Sequence, residues 1–349
     1  MRMKRISTAV IVFIIVVVLF LYPLDSYISQ PGGAYDLAPL VEVEGGDEED
    51  VGTFSLMTIS LSKATMASYT YAQFSNKRKI LPPENVRRPG ESEPEYNLRQ
   101  KKLMTDSQFN AITVAFEKVG IPVEIEFGGV FVMNVLKESA SDEILKAGDL
   151  IKAIDGTPLK KSGEFVSTIS EKKLGDKVEL SIERDEKTLD KVITLGEIPE
   201  GDGRIGLGIG FQEDRTLTTE PEVTMKTENI GGPSAGLMFT LEIMNRLLLE
   251  EDLTKGYNVA GTGEMLENGT VGRIGGADFK VIAAAREGVE IFFAPDDDLP
   301  DEVRKKNPGI VTNYEEALQT AKNIGTKMKI IPVKTIDDAL EYLESIEPK

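Results

Sequence analysis

The chain has 349 residues, enough for one large domain or two to three ordinary ones. It contains no His and no Cys, which excludes Ser-His-Asp and Cys-His catalytic sets, Cys/His zinc sites, haem, iron–sulfur clusters and disulfides. A formal charge of -18 argues against nucleic acid as a partner, and 41% hydrophobic with 28% charged residues marks a folded chain.

Arg2, Lys4 and Arg5 precede an uncharged run from Ile6 to Leu24, almost purely aliphatic between Ala9 and Tyr22. At 1.5 Å per residue the run spans roughly 28 Å, about one hydrocarbon core. The competing reading, a cleaved signal peptide, needs small residues at a cleavage site, and YPLDSYISQPGG offers no A-x-A pattern. An uncleaved single-pass transmembrane anchor is therefore expected over residues 1–30, with a cytoplasmic basic tail and an extracytoplasmic body. That body would be repelled by anionic lipid, so the anchor would do the tethering.

Residues 31–50 read as a linker ending in an acidic run. Gly52 to Ser62 is a strand candidate, Asn76 to Glu95 a proline-broken polar loop, and Tyr96 to Val119 a helix stopped by Gly120 and Pro122. Whether this α/β segment, part of residues 31–123, packs with the C-terminal domain is open at this level.

Residues 124–198 read as a compact β-rich unit: strand, short helix from Ser139-Ala140, strand, turn at Asp155-Gly156, helix Ser162 to Glu171, then paired strands around a polar turn. Gly129-Val130-Phe131-Val132 and Ala147-Gly148-Asp149-Leu150-Ile151 ending at Asp155-Gly156 resemble a PDZ domain of the bacterial type. The resemblance implies binding of peptide C-termini by strand addition. The glycine–hydrophobic candidate for a carboxylate loop, Gly206 to Phe211, follows the module and reads preferentially as an ordinary strand of the next domain.

From residue 204 to 349 the pattern is mixed α/β. Strands are expected at Glu222 to Lys226, Gly256 to Ala260, Glu290 to Phe293 and Lys329 to Pro332. Helices are expected at Ser234 to Leu249, Asp278 to Glu287, Tyr314 to Ile324 and Thr335 to Ser345. The fold class is α+β or mixed α/β, with an N-terminal transmembrane helix.

Two segments could carry chemistry. Gly231-Gly232-Pro233 leads into Ser234, which would stand at a helix start beside free backbone N–H groups. Ser234 is either a helix-capping serine or a nucleophile, with Gly232, Ser234 and Ala235 amides as oxyanion donors. Gly232-Pro233-Ser234-Ala235-Gly236 also fits the G-x-S-x-G elbow, but that reading needs a His that the chain lacks. Further on, Gly275-Gly276 opens a helix with Lys280 in its first turn, where the helix dipole and apolar neighbours would depress an amine pKa. In isolation Lys280 reads first as a surface lysine.

Together, Pro233-Ser234-Ala235-Gly236, Thr262-Gly263-Glu264 and Gly275-Gly276-Ala277-Asp278-Phe279-Lys280 resemble the proteolytic domain of the Lon family. The resemblance implies a serine endopeptidase with a Ser-Lys dyad: Ser234 as nucleophile, Lys280 as general base and Thr262 supporting the lysine. Gly231 stands where Lon enzymes often carry an Asp, so any gating by that Asp is lost or replaced. No G-x-x-x-x-G-K-[ST] occurs, so no nucleotide site or ATPase function is expected in this chain. The whole is similar to the PDZ-containing, membrane-anchored Lon-like proteases of Gram-positive bacteria. That likeness implies ATP-independent cleavage of flexible extracytoplasmic or membrane-tethered proteins, no cofactor and no metal, and a homo-hexamer. Substrate is expected to lie along an edge strand at Val223, Thr224 and Met225. The alternatives are a catalytically idle scaffold and a protease that mainly processes itself.

Overall fold

Thr53–Thr65 is rich in apolar and β-branched residues, and it forms a strand at the centre of a six-stranded mixed sheet. The structure, a computed structural model, describes residues 10, 13, 14, 16–47, 51–199, 201–227, 230–249 and 251–349. Its residues fall into two units, one of 1–90, 104–121 and 223–349, the other of 91–103 and 122–222. The helix Glu93–Val119 is divided between them at Leu103.

In the first unit the sheet order is Lys329–Val333, Ile291–Pro295, Asn258–Gly261, Thr53–Thr65, Pro23–Asp36, Lys79–Leu81. The first four strands pair parallel, and Pro23–Asp36 runs antiparallel to both of its neighbours. Every residue of Ile291–Pro295 is buried, the signature of a parallel strand covered on both faces. Helix Ala277–Arg286 makes the crossover between Asn258–Gly261 and Ile291–Pro295. Val281, Ala284 and Phe292 share one core with Met57 and Ala260. Helices Asn313–Ile324 and Ile336–Ser345 both begin with capping boxes, at Thr312 with Glu315 and at Thr335 with Asp338.

Helix Gly236–Leu247 is buried on all sides from Gly236 to Arg246. Two charges on it are shielded by each other: Arg246 Nε donates to Glu242 Oε1 at 2.9 Å, and Arg246 Nη1 to the Asp47 carbonyl at 2.8 Å.

The second unit is built on a sheet ordered Ile209–Thr218, Glu124–Val135, Leu150–Ile154, Lys177–Arg184, Lys187–Thr194, with helix Ser162–Ser170. Val130, Ile151, Val178, Leu180 and Ile193 fill its core. Both tight turns use left-handed residues: Asp155 and Gly156 at φ 49° and 74°, Asp185 and Glu186 at φ 51° and 61°. Asp149 of the Ala-Gly-Asp-Leu motif is buried and takes a two-pronged bond from Arg184, at 2.6 and 2.7 Å.

Three expectations are corrected, and the transmembrane one falls partly outside the described residues. Among the described residues no helix is long and apolar enough to cross a membrane. The expected span Ile6–Leu24 lies partly outside the described residues, and residues 16–21 are helical before the strand Pro23–Asp36 begins. That strand also replaces the start of the expected linker at 31–50, because it pairs with Thr53–Thr65 along most of its length. No helix starts at Ser139-Ala140: residues 137–145 are turns, and Glu138 and Glu143 take left-handed φ of 62° and 63°, which interrupts helical bonding. Gly206 to Phe211 does not open the following domain. Its strand, Ile209–Thr218, pairs antiparallel with Glu124–Val135, so the second unit runs on to Glu222.

Candidate active site

Gly232 takes a φ of 87°, a conformation that glycine adopts without a steric penalty, and the chain turns through Pro233, Ser234 and Ala235 into the buried helix. Helical structure begins at Gly236, two residues beyond the expected start. The capping position falls on Ala235 with no side-chain cap, so the Ser234 hydroxyl is not a helix cap. It is held by Lys280, whose Nζ donates to Ser234 Oγ at 2.6 Å.

Lys280 is 2% exposed, which removes the surface-lysine reading. Burial pulls its amine from an ordinary 10.5 down to about 7. Its second partner is Thr262 Oγ1, at 2.8 Å. The Thr262 hydroxyl in turn donates to the Ser234 carbonyl at 3.0 Å, and the Gly263 N–H reaches the same carbonyl at 3.0 Å. Ser234, Thr262 and Lys280, brought from three separate elements, thus form one closed set of hydrogen bonds.

The backbone explains the glycines around this set. A Cβ at Gly263 would lie 2.3 Å from Val271 Cγ1, and one at Gly261 2.7 Å from Met238 Sδ. Glu264, the last residue of Thr-Gly-Glu, starts the short hairpin Glu264–Met265 with Val271–Gly272, and burial raises its carboxyl above the usual range.

Asn313 escapes sequence reading. Its side chain accepts from the Ile274 N–H at 2.8 Å and donates to the Ile274 carbonyl at 3.0 Å, fixing the approach to Gly275-Gly276 and the lysine helix. Thirty-nine positions separate the two residues, and no local pattern announces the contact.

The amides of Ser234 and Ala235 have no hydrogen-bond partner among the described residues. Val223–Met225 forms a strand pairing with Val41–Val43: Val223 with Val43, Thr224 with Glu42 and Met225 with Val41. Its second edge carries no strand among the described residues. In the second unit, Ile209–Thr218 is likewise an edge strand, preceded by Gly206-Leu207-Gly208, and Phe165 of helix Ser162–Ser170 meets Phe211 edge-on at 5.4 Å. The Gly-Leu-Gly-Ile spelling was the sequence signal for this loop. Among the described residues no cluster of acidic residues could hold a metal ion.

Comparison with known proteins bears on both units. Residues 226–344 match the Lon protease (S16) C-terminal proteolytic domain, and residues 112–195 match a PDZ domain. The chain is 32% identical over 145 residues to a Lon protease of Elusimicrobium minutum, covering 41% of this chain and 15% of that protein. It is 27% identical over 205 residues to a Lon protease of Acinetobacter baumannii, covering 58% of this chain and 21% of that protein. The chain therefore spans about a fifth or less of these curated relatives' length. The solved PDZ domain of an SdrC-like protein from Listeria monocytogenes is 36% identical, covering 25% of this chain and 92% of that one with a TM-score of 0.24. These matches support a serine peptidase of the S16 type.

Proposed function

We propose that the chain is a serine endopeptidase in which Ser234 is the nucleophile and Lys280 its general base. One observation carries the reading: a buried amine, titrating near 7, stands 2.6 Å from a hydroxyl that caps nothing. An ordinary lysine at pH 7 is only about 0.04% neutral, whereas one titrating near 7 is about half neutral. The gain in available base is about a thousandfold.

The neutral amine has two N–H groups and one lone pair. With one N–H on Thr262 Oγ1, the lone pair can face Ser234 Oγ and take its proton as the oxygen attacks a peptide carbonyl. Thr262 holds the amine in that orientation, because its own proton is engaged with the Ser234 carbonyl. The amides of Ser234 and Ala235, with Gly232 beside them, would face the oxyanion of the tetrahedral intermediate. The protonated lysine then returns its proton to the leaving amine, and water releases the acyl group by the reverse sequence.

Val223, Thr224 and Met225 are proposed to pair with extended substrate at their unpaired edge. The chain carries no phosphate-binding G-x-x-x-x-G-K-[ST], so cleavage would need no ATP and be confined to flexible or locally unfolded segments. The Gly206-Leu207-Gly208 loop and the adjoining edge strand support recognition of substrate C-termini by the PDZ unit. Membrane attachment through the N-terminal apolar run rests on sequence, and a homo-hexamer on family likeness. Carbonate extraction and light scattering, respectively, test these two. For the chemistry, cleavage of an unfolded protein by wild type, Ser234→Ala and Lys280→Ala decides: both variants should lose activity, and equal activity in all three would overturn the dyad.

A further inference from the structure

Residues 104–121 lie outside the segment matched to the proteolytic domain, yet their helix bonds to the turn that carries Ser234. Ser107 is 2% exposed, and its hydroxyl donates to the Pro233 carbonyl at 2.9 Å. Two neighbours extend the grip: Gln108 Nε2 donates to Thr227 Oγ1 at 2.6 Å and Asn110 Nδ2 to the Met265 carbonyl at 2.9 Å. The approach is close enough to require glycine. A Cβ at Gly236 would meet Ser107 Oγ at 2.8 Å and the Met265 nitrogen at 2.6 Å.

The Pro233 carbonyl belongs to the same peptide plane as the Ser234 N–H. That peptide is trans, so the two groups point in opposite directions. Fixing the carbonyl fixes the amide. The only other bond to this carbonyl among the described residues is the Gly236 N–H at 3.2 Å, a long one within the same turn. The Ser107 bond is therefore what ties the plane to something outside the turn. The opposite end of the plane, the Ser234 N–H, has no partner among the described residues and is free to receive an oxyanion.

We infer that Ser107 is a positioning residue for the oxyanion-binding amide of Ser234, acting through the Pro233–Ser234 peptide plane. This rests on Ser234 being the nucleophile. Among the described residues Ser107 hydrogen-bonds to neither Lys280 nor Ser234 Oγ, so it should govern stabilisation of the transition state and leave the base alone.

The test compares the intact chain with Ser107→Ala and Ser107→Thr, with rates expressed per site titrated by a fluorophosphonate. Ser107→Ala should lower kcat about 10- to 100-fold, the range for a misdirected oxyanion donor, with KM within about twofold. Affinity for a peptide boronate, which mimics the tetrahedral state, should fall in proportion to kcat/KM. The pH midpoint should stay at the wild-type value, and Ser107→Thr, which keeps the hydroxyl, should recover most of kcat. Unchanged per-site kcat and boronate affinity in Ser107→Ala would overturn the inference, including the case where only the folded fraction drops. A shift of the pH midpoint would overturn it too, since the residue would then act through the base. A wild-type chain that neither cleaves nor labels at Ser234 would instead remove the nucleophile reading and this inference with it.

Discussion

At the scale of single residues, burying Lys280 costs stability. Its native pKa of about 7 lies below the ordinary 10.5, so between those values the unfolded chain binds a proton that the native chain does not. Stability therefore rises with pH from about 7 to 10.5, and at pH 6 the full penalty applies, on the order of 4–5 kcal/mol. Replacing the amine by an apolar side chain of similar length should remove it. Lys280→Met is predicted to melt higher than wild type at pH 6, with the gain shrinking toward pH 10 and activity absent throughout; calorimetry across pH measures this. Thr262→Val should keep the fold but free the amine from its second partner, lowering kcat about tenfold or more with little change in KM. Ser234, Thr262 and Lys280 were legible in the sequence because each sits in a short motif of glycines and small residues. Asn313 and Ser107 were not, because their partners are backbone carbonyls and amides remote in sequence, and a buried Asn or Ser has no local spelling.

At the scale of elements, the four strands and four helices expected after residue 221 could be read from apolar periodicity to within a few residues, because buried parallel strands and amphipathic helices write their burial into the sequence; the short helix Asp301–Lys306 and the hairpin Glu264–Met265 with Val271–Gly272 were not read. Two of the misreadings share one cause, which is that local pattern does not record strand pairing; the missing helix at Ser139-Ala140 has another, the left-handed φ of Glu138 and Glu143. Pro23–Asp36 carries two prolines' worth of breaker signal and adjacent glycines, yet it pairs across most of its length with Thr53–Thr65. Ile209–Thr218 follows a glycine-rich stretch that resembles a domain opening, yet its partner is the strand Glu124–Val135. That edge strand makes a prediction. A peptide with a free C-terminal carboxylate should bind the intact chain, and its amidated form should bind at least tenfold more weakly by titration calorimetry. Gly208 has a φ of 71° and a Cβ there would meet Ser139 Cβ at 2.2 Å, so Gly208→Val should abolish the binding. Equal binding of both peptides would remove the carboxylate-loop role.

At the scale of the whole molecule, the net charge of -18 sets which substrates arrive fastest. With an unfolded Lys-rich substrate, kcat/KM should fall several-fold between 20 and 300 mM salt as the field is screened; with an acidic one it should rise. Identical salt slopes for the two would show that charge plays no part in encounter. In the proposed mechanism the chemistry behind either substrate begins with proton transfer from Ser234 to Lys280, and the rate at which a fluorophosphonate modifies Ser234 as a function of pH reports it directly. The predicted profile rises through a midpoint near 7, levels off above it and is lost in Lys280→Met. Modification that climbs without a plateau to pH 10, or that survives in Lys280→Met, would contradict the account.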